Sequence, residues 1–429
     1  MLAGMVIVIA IASTWVSILL PVAYVVLLLG VTIVVAETAV LWRREIRVEA
    51  WREHEERLSN GEFNPIRVVV DVSSRIPLDV TIIDELPFQL QERGLSFPWM
   101  RRGDRPIEFT YEIRPVTRGI YRFGSINIYL RTPLGLVQRR VARSADQEAH
   151  VYPSIMEMRR AEIKTLSTNQ RRIGSHRQRN LGHTLEFEKV SQYAPGDDVR
   201  TINWKATAKR SSLMVNLFQD ERSQDVYSVL DMGRTMRYTD VGMTMLDYSI
   251  NAALAFSNIV VKKHDRIGLL TYDAAAVSVL SASSSAHQMG AIMKRLYDID
   301  TNYDQTDDER LVERVRSTIR SRSLLMVFTN IESVDAARRR LPAFRLLARS
   351  HVVVINFFDN DAIRAAATQR PDTAEGIYRQ TIARNALLEK REIVHEIRRA
   401  GIYAVLSSPS MLSVNAINAY LDLKGRGVV

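Results

Sequence analysis

The first 36 residues carry no charged side chain, and the apolar run continues past Glu37 to Trp42. As one helix rising 1.5 Å per residue, this stretch would be roughly 60 Å long, about twice a hydrocarbon core of ~30 Å. Residues 1–42 therefore read as two transmembrane helices joined near Leu20-Pro21, where proline favours a break. Trp42, with Arg43, Arg44, Arg47 and Arg52 close behind, reads as an interfacial aromatic followed by a positive-inside anchor. This places both chain ends in the cytoplasm and the chain in the inner (cytoplasmic) membrane as a multi-pass protein. A cleaved signal peptide fits less well. There is no basic n-region, and the residues after Ala10-Ile11-Ala12 stay apolar. A single span with a re-entrant segment is the remaining alternative.

At 429 residues the chain has room for two or three domains. Its formal net charge of +10 suits an anionic partner, and an anionic bilayer leaflet suits it as well as nucleic acid. The absence of cysteine excludes disulfides, thiolate zinc sites and cysteine nucleophiles.

Residues 43–62 are charged and of mixed sign at helical spacing, which predicts a solvated juxtamembrane helix. Over 63–153 the period changes to two. Ile66 to Val72, Val80 to Ile83, Ile107 to Pro115, Ile120 to Leu130 and Ala149 to Tyr152 read as strands of a small β-sandwich-like, immunoglobulin-like module. Gly119 and Gly135 mark tight turns within it. Residues 154–222 open as a basic connector that includes Arg159, Arg160, Arg171, Arg172, Arg177 and Arg179. Without interleaved aromatics such a stretch suits an acidic lipid surface or protein partner better than nucleic acid. Pro195-Gly196-Asp197-Asp198 then reads as a turn braced by Arg200, with Ile202 and Trp204 as anchors onto a core. Adjacent carboxylates on an extended strand point to opposite faces, which disfavours Asp197 and Asp198 acting together.

From Glu186-Phe187-Glu188 through Tyr193, Pro195, Gly196, Asp197, Asp198, Arg200, Ile202, Trp204 and Lys205, the chain resembles the bacterial family called domain of unknown function 58. Turns at Arg118 to Tyr121 and Pro133 to Leu136 match as well. Two positions depart from the family's pattern: Asn203 and Thr132 stand where members typically have Asp. The resemblance implies a membrane-anchored protein whose cytoplasmic partner is a MoxR-type AAA+ ATPase, with roles in complex assembly, metal insertion or envelope stress.

The region 223–429 alternates strand and helix. Strands are expected at Val226 to Leu230, Arg266 to Thr271, Val277 to Leu280, Leu324 to Phe328, Val352 to Phe357 and Tyr403 to Leu406. A helix-rich insertion is expected from about Asp361 to Arg399. This order calls for an α/β doubly wound parallel sheet of Rossmann type. Ligands bind such sheets at the carboxyl ends of strands, so Asp231 marks the expected face. The stretch Asp231, Gly233, Thr235 resembles the first motif of von Willebrand factor A-type domains, Asp-x-Ser-x-Ser, in which a carboxylate and two hydroxyls hold a divalent cation. One hydroxyl is missing here. By that resemblance Thr301 or Thr306 would supply the second motif, with Thr306 taken into the set, and Asn330 stands where an Asp would supply the third. The set Asp231, Thr235, Thr306 and Asn330 is thus a degenerate site for Mg2+ or Mn2+, one carboxylate poorer than a hard cation prefers. The alternative is that Asp231 caps its own turn and Arg234 neutralises it.

No phosphate-binding loop, His-Glu-x-x-His or Gly-x-Ser-x-Gly elbow occurs. Two functions remain. One is a membrane-anchored interaction module presenting Gly233, Arg234 and the Asp231 face to a partner. The other is an uncharacterised metal-dependent hydrolase using Asp231 or the Asp197-Asp198 pair.

Overall fold

A computed structural model describes residues 19–42, 46–74, 76–91, 95–101, 105–154, 156–163, 186–194, 199–210, 212–219, 223–301 and 304–429. The chain forms two compact units, Met1–Tyr152 and Pro153–Val429.

The first unit begins with helix α1, Leu19–Leu41. It is long and apolar enough to cross a membrane, with a mean hydropathy of 2.3 over Tyr24–Leu41. It is the one such helix among the described residues. The companion helix expected over the first residues lies outside them.

Ten strands follow: β1 (Arg47–Glu53), β2 (Arg57–Ser59), β3 (Asn64–Ser73), β4 (Leu78–Asp84), β5 (Ser96–Arg101), β6 (Ile107–Ile113), β7 (Gly119–Phe123), β8 (Ile126–Arg131), β9 (Gln138–Arg143) and β10 (Gln147–Tyr152). They form three sheets, ordered β1-β3-β6, β2-β10-β7 and β5-β4-β8-β9. Strict alternation along β4, with Leu78, Val80 and Ile82 buried, puts one face of the strand on a core shared with Val68, Val70, Ile128 and Val151.

Two expectations are corrected here. The charged stretch after helix α1 is strand β1, paired antiparallel with β3, and not a solvated helix. Its inward positions are Val48, Ala50 and Arg52, so the pattern has period two with one charge on the buried face. That charge is compensated. The side chains of Arg52 and Asp84 are both fully buried and ion-paired. Arg52 also donates to the Ala145 carbonyl at 2.9 Å and stacks 4.4 Å from the Phe123 ring. Ile120 to Leu130 is likewise two strands in different sheets, because the chain turns at Gly124-Ser125.

In the second unit, β11 (Glu186–Gln192) pairs antiparallel with β12 (Met214–Gln219), and helix α2 (Trp204–Arg210) lies between them in sequence. The main sheet comprises β13 (Asp225–Asp231), β16 (Arg266–Tyr272), β17 (Val277–Ser283), β18 (Leu324–Phe328), β19 (Val352–Phe358) and β20 (Tyr403–Ser407). A small hairpin, β14 (Thr239–Asp240) with β15 (Met243–Thr244), stands apart from it. The sheet order is β17-β16-β13-β18-β19-β20. All pairs are parallel except β16 with β17, so the sheet is mixed where an all-parallel one was expected. The reason is local: the short Asp273–Ala276 connection allows only a hairpin, whereas a parallel neighbour needs a long crossover.

Helices α3 (Met245–Lys262), α4 (Gln288–Tyr297) and α9 (Leu412–Gly425) bury Phe256, Ile292 and Tyr420 in one core. Helices α5 (Asp308–Thr318), α6 (Val334–Ala348) and α8 (Ala374–Arg399) bury Val315, Phe344 and Ile393 in a second. Helix α7 (Asp361–Thr368) pairs with α8. Central β13 is buried along nearly its whole length, and its last residue is Asp231.

Candidate functional site

The carboxyl ends of β13, β16 and β18 bring together residues far apart in sequence. Register places Asp231 beside Tyr272, and Leu230 beside Phe328, so that Thr329 follows at the same level. Asp231 is fully buried. Its Oδ1 accepts from the Gly233 backbone N–H at 2.9 Å, which caps the turn. Its Oδ2 accepts from the Thr329 hydroxyl at 2.6 Å and from the Arg340 guanidinium at 3.1 Å.

Arg340 is the hub. Besides Asp231 it holds Asp308 through two bonds, at 2.7 and 2.8 Å. It also donates to the Thr329 hydroxyl at 2.8 Å and to the Tyr272 hydroxyl at 2.9 Å. Two carboxylates thus face one guanidinium, Asp308 in the bidentate geometry that makes such pairs strong and Asp231 through a single bond. Burial works against the Arg340 charge, but the surrounding acceptors, Asp231 and Asp308 among them, outweigh it and raise its pKa well above the ordinary value. Burial, then the Asp231 charge, raises the Tyr272 pKa far above that of a free phenol, so it stays protonated. Asp308 is aimed by the start of α5, where Asp307 caps the helix by accepting from the Glu309 and Arg310 backbone N–H groups.

Above this cluster lies a cleft of about 70 Å³ lined by Arg234, Thr235, Thr306, Asn330, Arg339 and Arg340, among others. All four residues of the expected cation set are therefore at one place. Only Asp231 belongs to the hydrogen-bonded cluster. The Thr235 carbonyl accepts from the Asn330 side-chain amide at 3.1 Å. The Thr306 methyl presses on the backbone at Gly233, where an added Cβ would sit 2.7 Å away, so that position requires glycine. Asn330 is buried, and its Oδ1 has no hydrogen-bond partner among the described residues.

These residues do not fit a divalent cation as arranged. The Asp231 oxygen that faces Thr329 is already taken by a guanidinium, and a cation there would meet like charge at close range. Neutralisation comes from Arg340, not from Arg234, which is exposed on the cleft wall. The sequence carried a signal for this. Arg340 falls between Ala337, Leu341 and Phe344, on the buried stripe of α6.

The stretch Pro195 to Trp204 divides. Pro195, Gly196, Asp197 and Asp198 lie outside the described residues. Arg200 lies exposed in the short turn Val199–Thr201. Trp204, expected as a core anchor, is 70% exposed at the start of α2. The neighbouring Asn203 does the anchoring instead. Its Oδ1 caps α2 by accepting from the Ala206 N–H at 2.9 Å, while its amide donates to the Asn216 side chain at 2.8 Å. An aspartate could cap but could not donate.

Residues 189–364 match the family described as Protein of unknown function DUF58. The chain is also 27% identical over 143 residues to the uncharacterized protein YeaD of Bacillus subtilis, covering 32% of this chain and 34% of that protein. Both matches support the DUF58 family. The matched residues span Asp231, Thr329 and Arg340, so the whole cluster falls inside the family region. The chain spans only about a third of the length of the curated relative it matches. Among solved structures, a CARDB domain from Pyrococcus furiosus is 12% identical with a TM-score of 0.19, covering 25% of this chain and 90% of that one. Proximal thread matrix protein 1 from the mussel byssus is 13% identical with a TM-score of 0.26, covering 46% of each chain. At these scores neither likeness carries an argument.

Proposed function

We propose that this protein is a membrane-anchored interaction module that presents the carboxyl-end face of a von Willebrand factor A-like sheet to a cytoplasmic protein partner. The observation that carries this reading is the Asp231–Arg340–Asp308 cluster. It neutralises internally the position where an open cation site or a free catalytic carboxylate would stand, and leaves above it a small polar cleft. Both carboxylate oxygens of Asp231 accept hydrogen bonds that hold that face rigid, as suits a docking surface. The wall of the cleft carries both signs, with Arg234 and Arg339 near Glu332, which suits a polar protein segment. The partner is a MoxR-type AAA+ ATPase, in complex assembly or envelope stress, on the strength of the family resemblance in the Tyr193 to Lys205 motif. Helix α1 supplies the anchor.

The test is affinity capture of the full chain from detergent extracts, with and without ATP, beside an Arg339→Glu variant. Enrichment of an AAA+ ATPase that responds to nucleotide and falls at least about tenfold in the variant is expected, since reversing a charge at a docking face costs ~1.4 kcal/mol or more. Equal capture by both forms would remove the cleft from the interface.

A further inference from the structure

We infer that the turn between β8 and β9, residues Thr132 to Leu136, is a membrane-inserting tip that enters the bilayer beside α1. This inference rests on α1 being a membrane span, and adds a second point at which the β-rich unit meets lipid. It begins with Glu37. The carboxylate lies inside the apolar window Tyr24–Leu41, a length of ~27 Å that nearly fills a hydrocarbon core of ~30 Å. Glu37 precedes Leu41 by ~6 Å of helix, so it lies one turn inside the end of that apolar window, a level we take as the edge of the hydrocarbon. An ionisable group at that depth is costly against lipid, and here it is not against lipid. Glu37 is 4% exposed, and the hydroxyl of Thr132 donates a hydrogen bond to it.

Thr132 can reach Glu37 only if the turn that carries it descends to the same level. Leu134 stands at the tip beside Pro133, and Leu136 follows just past it; they are 69% and 45% exposed. Water is a poor solvent for both, and the acyl boundary is a good one. The turn is tightly closed: the Gly135 N–H donates to the Thr132 carbonyl at 3.0 Å, with Gly135 at a φ of +68°. It therefore holds the leucines in a fixed arrangement, with the Arg131 guanidinium donating to the Gly135 carbonyl at 3.2 Å on the same turn. Behind the tip, Arg139 donates to the Leu41 carbonyl at 2.6 Å and lies 5.7 Å from the Trp42 ring. An arginine and a tryptophan at the end of a membrane helix mark headgroup depth, and we set the leucines on the hydrocarbon side of them. The occupant of the tip is thus the lipid boundary already met by α1.

The full chain contains no cysteine, so single cysteines can be introduced at Leu134 and, in a second protein, at Leu136, and labelled with an environment-sensitive fluorophore. Reference labels go at Leu28, exposed on α1, and at Glu313, exposed on α5. Each protein is reconstituted into phosphatidylcholine–phosphatidylglycerol vesicles, with or without bromine on the acyl chains. Insertion predicts blue-shifted emission at Leu134 and Leu136, quenching by bromolipid as at Leu28, and protection from aqueous iodide. Labels at both tip positions that behave like the one at Glu313 would overturn the inference while leaving the anchor intact. If the chain fails to float with the vesicles after alkaline wash, anchor and tip fall together.

Discussion

Arg340 does at residue scale what a metal ion does in other carboxyl-end sites: it gathers Asp231, Asp308, Thr329 and Tyr272 around one positive charge. Removing it leaves a fully buried carboxylate uncompensated, a change that typically costs 3–5 kcal/mol. Arg340→Ala should therefore lower the stability of the α/β unit by about 3–5 kcal/mol in denaturant titration. An Asp231→Asn, Asp308→Asn, Arg340→Met triple variant should recover much of that loss, since both carboxylates are neutralised with the removal of their shared counter-charge. A second consequence concerns metal. In calorimetric titration with magnesium the native chain should show no binding at Asp231, whereas Arg340→Ala frees two carboxylates and a hydroxyl and should gain weak binding. Metal binding by the native chain that Asp231→Asn abolishes would show that the guanidinium yields to the ion. His351 offers a pH readout. It is buried, and burial lowers its pKa below 6.5. Because the unfolded chain takes up the proton first, stability from the neutral ring is complete above ~6.5 and is lost as pH falls through the folded value. Denaturation series from pH 7.5 down to 5 should show this slope, and His351→Asn should flatten it.

At the scale of elements, β1 shows how a charged segment becomes a core strand. Its period-two pattern is visible once Arg52 is allowed inside, and Arg52 is allowed inside because Asp84 on β4 and the carbonyls of Gly124 and Ala145 receive it. Arg52→Ala should strip Asp84 of its counter-charge and cost the β-rich unit about 3–5 kcal/mol, read by intrinsic fluorescence of Trp51 and Trp99 in that unit. Because the two units are compact separately, the unfolding of the α/β unit should be unchanged in that variant. A loss shared equally by both units would mean that they unfold as one. The α1–β8 joint follows the same logic. Opposite Glu37 an aspartate at position 132 would set carboxylate against carboxylate, whereas the Thr132 hydroxyl donates.

At the scale of the whole molecule, the two units divide the work. One carries the apolar helix and a β-rich core that closes over its end. The other is a sheet with helices on both faces and a rigid polar site at its carboxyl edge. Alternation of strand and helix after residue 223 was legible because each strand is a short apolar run and each helix an amphipathic one. The antiparallel edge strand was not, since strand direction depends on how a connection closes rather than on the pattern of the strand. Trp204 misled for a related reason: a large aromatic usually marks a core, but here the backbone of α2 is fixed by Asn203, and the ring is left outside.

By itself the sequence determined where apolar runs change period, and therefore the long apolar helix, the β-rich region from residue 63 on, the α/β region and the position of Asp231 at a strand end. Only the tertiary structure decided what surrounds that carboxylate. Arg340 lies 109 positions along the chain from Asp231. The two meet because α6 packs its apolar stripe on the sheet and carries one arginine along that stripe into the carboxyl end. Charge pairing of this kind is set by packing, and packing is not written in local periodicity.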